Sequence, residues 1–260
     1  MANDFFANPL VMALIVSLVI NLSMFLVALR FQSDKLTDIS YAVTFATIAI
    51  WGFTLSDKSW FHAILLTMVL LWALRLGGFL LYRVIKNGKD ARFDDMRGDF
   101  LKFGKFWLAQ AVTVWVMMIP SIFAFDTAPT VSTLQIIGGV VWLIGLLCET
   151  AADFQKLAFS SNPANKGKWI ATGIWKYSRH PNYFGEILVW SGIYLYAVTS
   201  LSLLQAVIGL VSPLFIITLL LFVSGIPILE KSADKRWGSD PAYKAYKKRT
   251  SILIPLPPGK

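Results

Sequence analysis

Apolar runs close to 20 residues long recur along this chain, and no other feature constrains its fold as strongly. Seven can be read: Pro9–Leu29, Leu36–Leu55, Trp60–Ile85, Gly104–Phe125, Val131–Cys148, Tyr183–Thr199 and Gln205–Ile228. A segment of that length with so little charge matches a helix crossing the hydrocarbon core of a bilayer. With 56% of residues hydrophobic, 15% charged and a mean hydropathy of +0.62, too little charge remains for the surface of a soluble domain of this size. The expected fold is all-α: a polytopic membrane protein with seven transmembrane helices, forming one domain over residues 1–260.

Basic residues set the expected orientation. Lys and Arg gather in the connections after segments one, three and five and in the C-terminal tail, whereas the fourth ("DTAPTVST") and sixth ("SLSLLQ") connections have none. That alternation places the N-terminus outside and the C-terminus in the cytoplasm. The net charge of +9 is therefore one-sided, and attraction to anionic lipid accounts for it without a nucleic-acid partner. The start, "MANDFFANPL", lacks a basic stretch ahead of the first run, so that run reads as a span rather than a leader. Cys148, the one cysteine, rules out an internal disulfide and a cysteine metal cluster. Two histidines far apart, His62 and His180, make a histidine metal site implausible, so no metal is expected.

Long polar connections lie at the expected cytoplasmic end, where function is expected to concentrate. Ionisable residues inside spans are expensive and are usually paired or functional. Here they are Asp38, Arg75, Glu149, Asp153, Glu186 and Glu230, most of them near the cytoplasmic end. Glu149 and Asp153 are four residues apart, as are Asn182 and Glu186, so each pair shares a helix face. Each could alternatively be an end-of-helix group reaching the interface.

The stretch "GIWKYSRHPNYFGEILVW" is the most informative. Pro181 suits the first turn of a helix, so segment six should begin there, with Arg179 and His180 just ahead of it. Free N–H groups and the positive end of the helix dipole favour an anion, and Lys166, Lys168 and Lys176 lie upstream. One turn on, Asn182 and Glu186 would grip a neutral hydrogen-bonding group. A large ligand with an anionic part at the mouth and a neutral part below has the shape of a dinucleotide. In the tail, "DPAYKAYKKRT" predicts a helix capped by Asp240 with Pro241 at its first position, presenting Tyr243, Tyr246, Lys247 and Arg249. A helix lying on lipid headgroups fits that pattern equally.

The run from "ADFQKLAF" through "NKGKWIATGIWKYSRHPNYFGEILVWSGIYL" resembles the C-terminal signature of the membrane steroid 5-alpha-reductase family, particularly its bacterial branch. "LWALRLGGFLLYRVIKNGKDARFDDMR" and "YKAYKKRTSILIP" extend the likeness over roughly residues 35–255, with most of the cofactor signature in 104–260. Sterol reductases and the isoprenylcysteine and phospholipid methyltransferases, which bind S-adenosylmethionine, share related versions. The resemblance implies a seven-helix enzyme that uses NADPH to saturate the double bond of a 3-oxo-Δ4-steroid or a related enone lipid, in a bacterial inner membrane if the source is prokaryotic. It places the cofactor on Asn182, Glu186, Asp153 and Glu149, with His180 and Tyr246 nearby. Lys35, Arg83, Arg92, Lys168 and Arg179 take its phosphates. A tyrosine and a carboxylic acid from helices two and three act on the substrate carbonyl in that family. Segment two has no glutamate, so Asp38 with Tyr41, or Tyr82, must serve, with Tyr82 the first choice and Arg75 orienting the acid. The alternatives are a membrane methyltransferase using S-adenosylmethionine, and a non-enzymatic membrane protein that binds lipid or another subunit.

Overall fold

The computed structural model describes residues 8–31, 35–87, 96, 98–128 and 131–259. In chain order the helices are α1 (Pro9–Phe31), α2 (Lys35–Leu55), α3 (Trp60–Asn87), α4 (Phe100–Phe125), α5 (Thr133–Ser161), α6 (Pro181–Ala197), α7 (Leu203–Gly209), α8 (Val211–Thr218), α9 (Ile226–Trp237) and α10 (Pro241–Arg249). Short 3-10 turns lie at Pro163–Asn165, Gly173–Lys176 and Val198–Ser200. Among the described residues there is no β-sheet, only an isolated parallel bridge between Ser178 and Ser251. Six stretches are long and apolar enough to cross a membrane: α1, α2 from Leu36, α3 to Lys86, α4, α5 and the interrupted run Leu203–Trp237. This is a multi-pass, all-helical membrane protein. The remaining expected segment is α6, shorter at 17 residues.

The last apolar run breaks where proline chemistry requires it. A proline ring collides with the carbonyl four residues earlier and offers no N–H. For Pro213 that carbonyl belongs to Gly209, where α7 ends, and for Pro227 it belongs to Val223, where a π-helical turn (Leu219–Val223) ends. Gly225 then takes a backbone that brings it against Leu220 O, leaving no room for a side chain.

The chain divides into two compact units. The first holds residues 1–136 and 193–212. In it α1 packs on α2 and α4, and α2 packs on α3 and α4. In the most apolar window of α4, 61% of residues are buried, against 22–39% for α1, α2 and α3, so α4 is the inner helix of this bundle. Its interior is partly polar. Gln110 Nε2 donates to Asn21 Oδ1 (2.8 Å), Ser40 Oγ (3.0 Å) and Thr37 O (3.1 Å). Asn21 Nδ2 donates to Thr44 Oγ1 (3.1 Å), and Ser17 Oγ to Ala111 O (2.8 Å). Hydrogen bonds across helices help hold such a bundle together, because lipid tails offer these groups no partners. Beside this network Tyr41, Phe45 and Trp72 form an edge-to-face cluster. At the other end of α3, the buried His62 joins Asp57 (2.6 Å) to Ala124 O (2.8 Å).

The second unit holds residues 137–192 and 213–260. Its helices α5 and α6 meet backbone to backbone. A Cβ added to Gly185 would lie 2.5 Å from Glu149 N and 2.7 Å from Gly145 O. One added to Gly192 would lie 2.5 Å from Trp142 N and 2.7 Å from Gly138 O. Gly138 and Gly145 are two turns apart on α5, as are Gly185 and Gly192 on α6, and the pairing 138–192 and 145–185 makes the helices antiparallel. Small residues let helices approach closely where no hydrophobic drive separates helix from lipid.

Gly185→Leu should open this seam at a cost on the order of 3 kcal/mol. Thermal unfolding of the purified protein in detergent should show it as a large drop in Tm. Gly139→Ala, where an added Cβ meets nothing within 4 Å, should leave Tm unchanged. Equal melting of both variants would show that the seam does not hold the unit together.

Candidate functional site

The second unit builds its polar end from three pieces of chain. The first is α5, which carries Glu149 and Asp153, both buried. The second is the connection from Asn162 to His180, which folds back on α5. Trp175 Nε1 donates to Ala152 O (3.0 Å), Ile174 N donates to Gln155 Oε1 (3.0 Å), and Lys156 stands 5.0 Å over the Trp175 ring. Gly173 lies against the Gln155 side chain at φ +59°, a backbone conformation that residues with a Cβ rarely adopt. The third piece is the C-terminal segment. Asp240 caps α10 by accepting from Ala242 N (2.7 Å), as its sequence predicts. The tyrosines of α10 do not face outward, however. Tyr243 and Tyr246 are buried, and Tyr246 Oη donates to Trp175 O (2.9 Å). Burial pushes both phenols above their ordinary pKa. The presentation expected of this helix is corrected accordingly: its aromatic face covers the connection before α6.

The tail then runs alongside residues 177–179. Arg179 N donates to Ser251 O (2.9 Å), Leu256 N to Tyr177 O (3.1 Å), and Ser178 Oγ to Leu253 O (2.6 Å). This fixes the residues ahead of α6, which starts at Pro181 as expected.

One carboxylate organises the cluster. Glu230 Oε1 accepts from His180 Nε2 (2.9 Å) and Arg179 Nε (3.2 Å), while Glu230 Oε2 pairs with Lys247 Nζ (3.0 Å). Lys247 also reaches Asp234 at 2.6 and 2.8 Å, and Arg179 Nη1 donates to Lys247 O (2.5 Å) and Thr250 O (3.4 Å). Burial opposes the Lys247 charge, yet Asp234 and Glu230 hold its pKa above the ordinary value. For His180 burial is the largest influence and lowers the pKa. Glu230 works against that shift, and the charges of Lys156 and Arg179 reinforce it. The ring stacks on Tyr183 with centroids 5.7 Å apart.

Among the residues singled out from sequence, the second unit brings Arg179, His180 and Tyr246 into one cluster. It also sets Glu149 against Gly185, which immediately precedes Glu186. Asn182 and Glu186 are half-buried, and Lys168 is exposed in the connection. In the first unit Asp38 faces Arg83 (Nη2 to Oδ2, 3.7 Å), and Arg75 lies 5.8 Å from the Phe79 ring. Tyr41 is half-buried, with its hydroxyl 3.7 Å from Met117 Sδ. Tyr82 is 54% exposed, with Lys86 beside its ring (5.9 Å). Lys35 is the first residue of α2 and its side chain lies outside the described residues, as does Arg92 altogether. Sequence reasoning counted Glu230 among the costly intramembrane groups but assigned it no partner; it presented Lys247 on the tail helix without linking it to Glu230, and it gave Asp234 no role. The available signal was that a lone glutamate closing an apolar run needs cations, and the nearest supply is the basic tail.

A family profile matches residues 24–250. The chain belongs to the family described as "Protein of unknown function (DUF1295)". A stretch of 58 residues, 22% of the chain, is 34% identical to the probable O-methyltransferase ustE of Ustilaginoidea virens and covers 20% of that protein. The chain thus spans about a fifth of the length of the curated relative it matches. No solved structure matches it.

The His180 shift gives a pH dependence with a definite sign. The folded chain protonates this ring at lower pH than the unfolded chain does, so the ring's contribution to stability is complete above about pH 6.5 and is lost as pH falls through the depressed value. Tm in detergent should fall on acidification from neutral pH, and His180→Gln should remove part of that fall. A variant profile as steep as the parent's would mean that His180 does not contribute.

Proposed function

We propose that this chain is an NADPH-dependent membrane reductase that saturates the Δ4 double bond of a 3-oxo-steroid or a related enone lipid. The observation that carries this reading is the α5–α6 seam. Gly185 lies against the backbone of Glu149, so the two pairs Glu149/Asp153 and Asn182/Glu186 sit on helices in direct contact. These are the four residues that the resemblance to steroid 5-alpha-reductases gives to the cofactor. The family to which the chain belongs includes steroid 5-alpha-reductase-like membrane proteins.

The residues present fit such a group. Carboxylates shielded from water accept hydrogen bonds from hydroxyls and carboxamides, which a nucleoside offers. Lys166, Lys168 and Lys176 are exposed in the connection and suit the phosphates. When bound, NADPH supplies a hydride for the β-carbon of the enone. The chain supplies the grip and the proton for the enolate oxygen. Of the two tyrosines named for that proton, Tyr41 is the one taken here. It is half-buried among aromatic rings, with its hydroxyl 3.7 Å from Met117 Sδ. Tyr82 is exposed beside Lys86. Asp38, paired with Arg83, and Arg75 would orient the donor.

In this reading the chain crosses the membrane seven times, with the N-terminus outside, the C-terminus in the cytoplasm and the cofactor on the cytoplasmic side. Helix α6 rises about 26 Å, and the 3-10 turn that continues it brings the rise to about 30 Å, the thickness of the hydrocarbon core.

Two observations favour a second reading, a membrane methyltransferase using S-adenosylmethionine. A short stretch matches a probable O-methyltransferase, and Arg179 is already held by Glu230 and tail carbonyls, which reduces its reach toward a phosphate.

Purified protein should oxidise NADPH only when an enone steroid such as progesterone is present, and should prefer NADPH to NADH because only the former carries a 2′-phosphate. Glu186→Ala should weaken cofactor binding by about 10-fold or more, the worth of one buried hydrogen bond to a charged group. Tyr41→Phe should lower kcat with little change in KM, and Tyr82→Phe should leave both near the parent values. If no NADPH binds and S-adenosylmethionine raises Tm instead, the methyltransferase reading replaces this one.

A further inference from the structure

We propose that Glu230 fixes His180 as a hydrogen-bond acceptor, so that the ligand group meeting this ring is a donor (a sugar hydroxyl, a carboxamide or an ammonium) and not a phosphate. The inference rests on the cofactor reading above and makes it more specific. An ionised carboxylate can only accept hydrogen bonds. Glu230 receives Arg179 and Lys247 as well as His180, and two fixed cations keep it ionised. At 2.9 Å from Glu230 Oε1, His180 Nε2 must therefore carry a hydrogen. A neutral imidazole has one N–H, which leaves Nδ1 with its lone pair.

The surroundings favour the neutral ring. It is 6% exposed, Tyr183 stacks on one face, and Arg179 and Lys156 both oppose a second proton. Glu230 is the anion that faces it, and its charge is already shared with Arg179 and Lys247, the latter also paired with Asp234. The backbone holds the ring in place: His180 N donates to Ser178 Oγ (3.1 Å), and His180 O accepts from Phe184 N (3.2 Å) in the first turn of α6. Among the described residues the structure gives Nδ1 no hydrogen-bond partner. An oxygen of a phosphate brought to that lone pair is repelled, whereas an O–H or N–H is held. Glu230 is thus a positioning residue: it acts on the ligand through His180. The phosphates fall to the exposed lysines.

The chain has two histidines, so histidine-specific ¹⁵N labelling of the full-length protein in nanodiscs gives two rings, assigned with His180→Gln. At about pH 7.5, above the free imidazole value of about 6.5, the ligand-free His180 should show a protonated Nε2 and a bare Nδ1. Saturation with NADP⁺ should shift the Nδ1 resonance while Nε2 keeps its hydrogen. Glu230→Gln should mix the two tautomers and weaken NADP⁺ binding by about 10-fold, and the parent spectrum decides the matter if that variant fails to fold. A His180 protonated at Nδ1 in the ligand-free parent overturns the proposal, as does bound NADP⁺ that leaves Nδ1 unmoved. If the tautomer is as stated but NADP⁺ does not bind, the reductase reading fails. S-adenosylhomocysteine then decides: a shift at Nδ1 supports the acceptor role, and no shift overturns it.

Discussion

The ionised carboxylate of Glu230 is the constraint on which the second unit depends. It closes an apolar segment where water is scarce, and a charge in that setting must be answered by other charges or hydrogen bonds. Three groups answer it: Arg179 and His180 from the connection before α6, and Lys247 from α10. None of them is near Glu230 in sequence, so meeting the demands of that single group ties the tail to the mouth of α6. Removing one partner would leave the others around a poorly compensated charge, which costs more than the lost pair is worth. The bridge between residues 178 and 251 and the burial of Tyr243 and Tyr246 then follow, because the tail is already held at both ends.

A second constraint comes from lipid. Helices surrounded by lipid gain little from burying apolar surface, since the tails outside are as apolar as the interior, and they must associate through close packing and hydrogen bonds. The two units use these means differently. The first ties α1, α2 and α4 through Asn21, Gln110, Ser40 and Thr44, a polar network with its donors satisfied. The second brings α5 and α6 together on glycines, which allows backbone contact but leaves the flanking side chains to do other work. Glu149 and Asn182 can stand next to the seam because the seam itself needs no side chains.

Local chemistry was legible in the sequence and long-range pairing was not. The start of α6 at Pro181 and the capping of α10 by Asp240 depend on residues within a turn of each other, and both are found as expected. So are six of the seven long apolar segments among the described residues, where composition is decisive alone. The apolar run Tyr183–Thr199 ends two residues beyond α6, where Val198–Ser200 tightens to a 3-10 turn. The interruption of the last run could have been read from Pro213, Gly225 and Pro227, but hydropathy averages over such positions. The inward turn of Tyr243 and Tyr246 could not, because an amphipathic helix looks the same whether its partner is lipid or protein. Arg179 is the instructive case. Its position beside a helix start argued for an anionic ligand, and the structure supplies an anion from its own chain, 51 residues away.

That substitution of an internal anion for an external one changes what the motif is for. A helix start flanked by Arg and His is open to phosphate only while those side chains are uncommitted. Once Glu230 engages both, the positive end of α6 is already balanced, and what remains at its rim is hydrogen-bonding capacity rather than charge. The free cationic charge in this unit is displaced outward, to the exposed lysines of the connection and of α9 and α10. The buried carboxylates of α5 remain inward. A ligand that satisfies both layers carries negative charge at one end and several hydrogen-bond donors at the other. In the proposed reading, carboxylates as buried as Glu149 and Asp153 would meet the uncharged end of such a ligand.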